Sequence, residues 1–405
     1  MRKPVASTAK PKALAPIRYR IGSSATELPA LGLGVAGHGQ PLGRKELERL
    51  KALKLAHVRV DLALWDAGWL AQLKRATREA RTLGAGLEIA LFVSAAAASE
   101  LAQFVKTARP AALPVVRYLI YQRDEVATSA PWLALARQYL GAQAVIYSGT
   151  NLFFTELNCN RPDADKLELL NGLCYSFNPQ VHAFDNSSLV EAMAAQAETI
   201  RSYRVFAKRT PLAITAITLK PRFDLGSVGP EPMESRLSGD LRQMALLGAG
   251  WTLGSLKSVA QTGSVNSATY YETSGPRGVM GNKHINAPPW PDGVYPMYHV
   301  FADVAEFGGQ VIASKSSEPL VVDGLVLRKG KRTRVLLANY SDQPRTVRLS
   351  ELGVRASVKH LDETNVAVAM ADPEKYRAQP GPTHKTHAGA LDVELRPYGL
   401  ACIDA

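Results

Sequence analysis

Two glutamates stand at the ends of runs that read as strands. Glu156 falls at the end of "AVIYSG" with "NLFFTEL" (144–157), and Glu272 closes "NSATYYE" (266–272). A carboxylate at the end of a buried strand is aimed at whatever the strand opens onto. Two carboxylates that face each other over one pocket divide labour: one stays ionised as base or nucleophile, and burial or its neighbour's charge keeps the other protonated. Each also has a local alternative, Glu156 as a cap or ion pair with Arg161 and Glu272 as a partner for Arg277. Around Glu156 the polar residues Asn158, Asn160 and Arg161 follow at once.

A second dense cluster is "NPQVHAFDNSSLVE" (178–191). It offers Gln180, His182 and Asp185 within six positions. His182 has the chemistry to shuttle a proton, orient a substrate, or join His38 on a metal. Asp185 is either a binding group or the N-cap of the helix that "SSLVEAM" begins. There is no HxH, no HExxH and no Cys/His ligand spacing, so no metal and no cofactor are expected. The absence of a G-x-S-x-G elbow removes the usual serine nucleophile.

These residues need elements to position them. From about residue 30, strand-like runs alternate with amphipathic stretches such as "GRKELERLKALKLA" and "GWLAQLKRATREARTLGA". The strands are expected at 31–39, 57–64, 87–93, 115–122, 144–157, 172–178, 211–219 and 266–272. Eight such units over roughly 270 residues predict a (β/α)₈ TIM barrel, an α/β fold. "YPMYHVFADVAEFGG" (295–309) would be its closing helix. The texture then changes to short alternating runs broken by Gly, Pro and Asn-Tyr-Ser-Asp, the pattern of a small C-terminal antiparallel β-sandwich. The expected division is a basic tail over 1–25, with "PIRYRIG" able to add a strand to the sandwich, a barrel over 26–309, and the sandwich over 310–405.

In such a barrel the reactive groups lie at the carboxyl ends of the strands. Reading only those positions adds His38, Asp61, the group Arg123, Asp124 and Glu125, then Asn158, Asn178, Lys220, Arg222 and Tyr271 to the glutamates. The expected catalytic set is Glu156, Glu272 and His182. The expected substrate-binding set is His38, Asp61, Asn158, Gln180, Asp185, Arg222 and Tyr271.

Composition narrows the partners. The chain has 405 residues, 46% hydrophobic and 21% charged, which suits a globular protein with a large core. No run reaches the roughly 18 apolar residues of a membrane helix. The net charge is +12, half of it carried by six Lys and Arg in the first twenty residues, and no basic stripe interleaved with aromatics follows. Neither nucleic acid nor membrane is therefore an expected partner. Three cysteines, Cys159, Cys174 and Cys402, lack metal-type spacing and point to reduced thiols and a cytoplasmic setting.

The motifs "TELNCNRP", "CYSFNPQVHAFDNSSLVE", "ITLKPRF", "RQMALLGAGWTLGSLK", "ATYYETSGPRGVM" and "YPMYHVFADVAEFGG", in this order, resemble the D-apionate lactonase family. The resemblance covers residues 28–405, with only a short tail where the family carries a leading domain. It implies a central barrel, a C-terminal β-domain and hydrolysis of a sugar lactone, with a small sugar or sugar lactone as substrate. On that reading Glu156 or Glu272 is the general base, His182 or Arg222 steadies the oxyanion, and Asn158, Gln180, Asp61, Asp185 and Tyr271 hold hydroxyls. The barrel is also similar to the glycosidases that use paired glutamates, although Thr155-Glu156 stands where those enzymes have Asn-Glu. A retaining glycoside hydrolase and a carbohydrate-binding barrel without catalysis are the alternative readings.

Overall fold

The protein's structure, a computed structural model, describes residues 15–222, 239–283 and 292–405. Most of the expected basic tail (1–14) and His284 lie outside the described residues.

Eight parallel strands close into a barrel: β2 (Ala30–Gly34), β3 (His57–Ala63), β4 (Gly86–Val93), β5 (Val115–Gln122), β6 (Ile146–Gly149), β7 (Gly172–Phe177), β8 (Leu212–Ile217) and β9 (Ser267–Glu272). The ring closes where Ala30 of β2 pairs with Ser267 of β9. The outer layer begins with α1 (Arg44–Ala52), α2 (Trp69–Leu83), α3 (Ala97–Ala108) and α4 (Ala130–Leu140). Their apolar residues recur at helical spacing. On α2, Trp69, Leu73, Ala76 and Ala80 turn to the barrel, and Gly84 at φ +69° ends the helix in the left-handed conformation that favours glycine.

The fifth barrel strand is shorter than expected. β6 stops at Gly149, whose φ of +139° and close approach to the Cys174 carbonyl leave no room for a Cβ. "FTELNC" then forms a helix, α5 (Phe154–Cys159), with Leu157 buried beneath it. Apolar residues three apart suit that turn as well as they suit a strand, so the short run carried no decisive period. Glu156 consequently lies on a helix and not at a strand end. After α6 (Ala164–Glu168) comes the long α7 (Asn186–Ala207), capped by the Asp185 carboxylate, which accepts from Ser188 N at 2.9 Å.

α8 (Leu246–Ala260) is buried along nearly its whole length because the barrel covers one face and the sheet domain the other. Small residues permit this double contact: a Cβ on Gly254 would meet Met193 Sδ on α7 and the Tyr340 hydroxyl of the sheet domain. α9 (Pro296–Phe307) closes the barrel.

The second domain is a nine-stranded, mostly antiparallel sheet: β10 (Gln310–Ser316), β11 (Val322–Lys329), β12 (Arg332–Asn339), β13 (Arg345–Leu349), β14 (Arg355–Leu361), β15 (Thr383–Lys385), β16 (Leu391–Leu395), β17 (Leu400–Asp404), and the early strand β1 (Ile17–Thr26). β1 pairs antiparallel with β10 and parallel with β13. Its alternation places Ile17, Tyr19 and Ile21 in the domain's core beside Val326, Val335 and Val347. Lys257 of α8 forms an ion pair with Asp323 of β11, tying the two domains together.

Candidate active site

At the carboxyl end of the barrel a cavity of about 150 Å³ is walled by the loop after β2, by β3 and α2, by Arg222 beyond β8, and by Glu272 at the end of β9. Its polar walls come from Gly37, Arg59, Asp61, Arg75, Arg222 and Glu272.

Glu272 reaches this cavity through a β-bulge. Thr269 on β9 points into the barrel, where its hydroxyl donates to Glu88 at 3.0 Å, and Tyr270 points out to Ser255 of α8 at 2.9 Å. Simple alternation would turn Tyr271 inward. Instead the pairing with β2 jumps from Leu33–Tyr270 to Gly34–Glu272, and Tyr271 takes φ +33°. Its hydroxyl lies 2.8 Å from that of Thr252 on α8, so two successive tyrosines face outward and Glu272 takes the inward direction. One carboxylate oxygen, Oε2, then accepts from Gly37 N at 2.7 Å. The residue is 4% exposed.

Asp61 and Arg59 stand two apart on β3 and share its inner face. Arg59 Nε donates to Asp61 Oδ1 at 2.7 Å, one terminal nitrogen donates to both the Thr215 carbonyl and its hydroxyl, and the other donates to Asn151 Oδ1 at 2.9 Å. The second oxygen of Asp61 accepts from Arg222 at 2.9 Å. Burial works against the Arg59 charge, but Asp61 beside it holds the guanidinium above its ordinary value.

Beneath Arg59 lies Glu88, wholly buried. The hydroxyls of Thr215 and Thr269 donate to its Oε1, and Arg117 Nε lies 2.9 Å from Oε2 as an ion pair, though not in hydrogen-bonding alignment. Burial would raise this carboxyl, yet His57, Arg117 and Arg59 around it bring it below the usual carboxylate range. The barrel floor is therefore a compensated charge network that holds Arg59 upright.

The structure brings three of the expected residues, Asp61, Arg222 and Glu272, to one cavity. His38 lies on the same loop as Gly37, with Nδ1 accepting from Gln40 N at 3.1 Å, so Nε2 carries the proton and donates to Ser274 at 3.0 Å. The remaining expected residues do not line the cavity. Glu156 sits on α5, with Oε2 buried and unpartnered among the described residues; the expected Glu156–Glu272 pair does not converge on the cavity, and the carboxylates that do are Asp61 and Glu272. Asn158, also on α5, accepts from Arg161 at 2.7 Å. His182 is exposed in the loop before α7. Asp185 caps α7. Gln180 is engaged at both ends, donating to Leu219 O and Asp240 and accepting from Arg242. Tyr271 faces α8 and is fully buried. Arg59, Arg75 and Asn151 were not singled out from sequence. Arg59 was legible as a polar residue in register with Asp61, whereas nothing marks Arg75 on α2 as facing a site. Among the described residues no group of three or more His, Cys, Asp or Glu is placed to hold a metal ion.

A model of the D-apionate lactonase TIM barrel domain matches residues 31–309, more than half of the chain. The chain belongs to the D-apionate lactonase family. The family's C-terminal immunoglobulin-like domain matches residues 319–403, the strands β11 to β17 of the sheet domain. All the cavity-lining residues named above fall within the family's barrel. No curated protein matches the chain. Among solved structures, a GH51 arabinofuranosidase from Xanthomonas axonopodis pv. citri is similar at TM-score 0.67 and 12% identity, covering 96% of this chain and 99% of that one. A GH30 endoxylanase from Clostridium papyrosolvens C71 is similar at TM-score 0.63 and 11% identity, covering 96% and 100%. At such identities the likeness is one of fold.

Proposed function

We propose that the protein hydrolyses a sugar lactone in the cavity around Glu272. The observation that carries this reading is the convergence of two carboxylates, Glu272 and the Asp61 already paired with Arg59 and Arg222, with the guanidinium groups of Arg59, Arg75 and Arg222 around a space of about 150 Å³. A cavity of that size holds a single ring, since about 150 Å³ accommodates benzene. Hydrolysis of a lactone needs a base for water, positive charge where the carbonyl oxygen becomes an oxyanion, and positive charge for the carboxylate that is released. Glu272 supplies the base. Arg222, with Nε buried and unpartnered among the described residues, supplies the donor for the oxyanion.

In balanced form, Glu272 takes a proton from water as its oxygen bonds to the carbonyl carbon, and the carbonyl π pair moves to the oxygen facing Arg222. Collapse breaks the ring C–O bond, and Glu272 returns its proton to the ring oxygen, leaving a hydroxyl and a carboxylic acid that gives its proton to solvent and becomes the carboxylate. A retaining glycosidase would instead need a second carboxyl free to protonate its leaving group. Asp61 is engaged by two guanidinium groups and is poorly suited to that role.

The test is acid release in a pH-stat from a panel of aldonolactones, beside a panel of nitrophenyl glycosides, with wild type and Glu272→Gln. Glutamine keeps an acceptor for Gly37 N but removes the base, so kcat on the lactone should fall about 10²–10⁴-fold. Turnover of glycosides without lactones, or lactone turnover indifferent to Glu272→Gln, would overturn the proposal.

A further inference from the structure

The loop after β2 holds Glu272, yet it has no backbone ladder of its own. Gly37 N donates to Glu272 Oε2 at 2.7 Å, and His38 Nε2 donates to Ser274 just beyond β9 at 3.0 Å. Among the described residues no backbone-to-backbone hydrogen bond reaches residues 36–42. The last before them runs from Val35 N to Arg59 O at 2.8 Å, and the next opens α1, where Leu47 N donates to Gly43 O at 3.0 Å. What fixes Gly37 in space must therefore come from side chains.

Arg75 supplies that hold from α2. One terminal nitrogen of its guanidinium donates to the Ala36 carbonyl at 3.0 Å, and the other donates to the Gln40 carbonyl at 3.3 Å. These carbonyls stand on either side of Gly37, His38 and Gly39, so one planar fork spans the segment. Ala36 is 0% exposed, and a carbonyl withdrawn from solvent needs a donor. Inside the segment Gly39 takes φ +80°, and a Cβ there would meet nothing within 4 Å, so packing does not hold the loop on that side. The helix that carries the fork is firmly seated, with Leu73 and Ala76 beside Arg75 at 2% and 0% exposure.

We propose that Arg75 is a positioning residue: by bridging Ala36 and Gln40 it sets where Gly37 N meets the Glu272 carboxylate, and so sets the direction of the base. The inference rests on the lactonase reading for its kinetic consequence and adds a residue that acts through Glu272. A carboxylate that accepts from a fixed N–H is restrained about its last bond. A misplacement of about 1 Å in such a group can cost about 10²-fold in rate.

The test uses Arg75→Ala and Arg75→Lys in the full chain, read by hydrogen exchange and by lactone kinetics. Exchange at the amides of Gly37 and Gln40, both hydrogen-bonded in the loop, needs no substrate and so judges the tether apart from the reaction. In Arg75→Ala these amides should exchange about tenfold faster or more, while the amides of the barrel strands keep their protection and show that the variant is folded. Its kcat on the lactone should fall about 10- to 10²-fold with KM within about threefold, as for an effect confined to the transition state. Guanidinium chloride far below its denaturing range should restore part of that kcat, because the free cation can take the place of the fork, whereas sodium chloride at equal ionic strength should not. Arg75→Lys, with one ammonium in place of the fork, should fall between wild type and Arg75→Ala. Unchanged protection of Gly37 and Gln40 in Arg75→Ala would overturn the inference and leave the lactonase reading intact. A raised KM with kcat unchanged would place Arg75 on the substrate and would also overturn it. A wild type that turns over no lactone would overturn the lactonase reading, and the exchange result alone would then decide the tether.

Discussion

His57 should make the barrel acid-sensitive by an amount the structure allows to be worked out. The residue opens β3 at the base of the barrel and is 1% exposed. Thr269 donates its hydroxyl proton to Glu88, so that oxygen accepts from His57 Nε2 at 2.8 Å and the ring is the Nε2–H tautomer. Nδ1 is buried with no hydrogen-bond partner among the described residues. Protonation would place a second N–H there with no acceptor among the described residues. Burial therefore lowers the imidazole from 6.5 to about 4, with Glu88 pulling the other way and Arg117 and Arg59 adding to the fall.

The sign follows from proton counting. Between about pH 4 and 6.5 the unfolded chain binds a proton at His57 that the folded chain does not, so stability falls as pH drops through that window and levels off below it. A lowering from 6.5 to about 4 corresponds to about 3 kcal/mol at about 1.4 kcal/mol per unit. About 2 kcal/mol of it should be lost between pH 7 and pH 5. The assay is urea unfolding followed by tryptophan fluorescence at both pH values, for wild type and His57→Gln. Glutamine cannot titrate and keeps a donor for Thr269. His299, also buried and lowered to about 3, contributes equally to both proteins and cancels in the comparison. The expected result is a pH-dependent loss about 2 kcal/mol smaller in His57→Gln than in wild type. Equal losses in the two proteins would refute the reasoning.

Two further predictions concern packing and the joint between domains. In Gly32→Ala the new Cβ would lie 2.3 Å from His57 Nε2. The ring must leave its bond to Thr269, so a cost of about 1–3 kcal/mol is expected, read as a lower urea midpoint. Adding His57→Ala should recover part of it, and a double variant no better than the single would show that the clash lies elsewhere. Arg334 is 4% exposed, grips Asp404 through two bonds of 2.7 Å, and reaches the Asp303 carbonyl of α9 at 2.9 Å. Arg334→Met should cost about 1.5–3 kcal/mol and separate the melting of barrel and sheet domain into two calorimetric transitions. A single, unshifted transition would count against Arg334 as a coupling residue.

The eight strand–helix units were legible because each buried strand is a dense apolar run and each helix has an apolar stripe. The segment that forms α8 fits the same strand–helix rhythm, but its burial on both faces shows only in the fold. β1 was harder to place. Its alternation in "IRYRIG" marks a half-buried strand, but only the fold shows that it inserts between β10 and β13, nearly three hundred residues away in sequence. Long-range pairing of this kind leaves no local trace, because period and propensity describe one strand at a time.

The site was half legible, and one geometric fact accounts for much of the division. Strand-end position points to Asp61, Arg222 and Glu272, and these three line the cavity at the mouth of the barrel. It brought Tyr271 as well, since a tyrosine beside an inward-facing residue is an ordinary site group. A side chain's face, however, is set by counting in twos from a known inward residue, and the bulge at Tyr271 inserts one extra residue into that count. Counting from Thr269 without the bulge gives Tyr271 inward and Glu272 outward, the reverse of what is found. Glu272 was reached by position alone, and Tyr271 was carried in by the same rule. Glu156 fails for a different reason. Gly149 ends β6 early, and the four residues before α5 carry the chain off the strand axis, so Glu156 rides on a helix whose direction the strand does not set. A carboxylate thus enters this cavity by a break in the strand period, and the cations facing it, Arg59 and Arg222, are held by Asp61 from the regular part of β3.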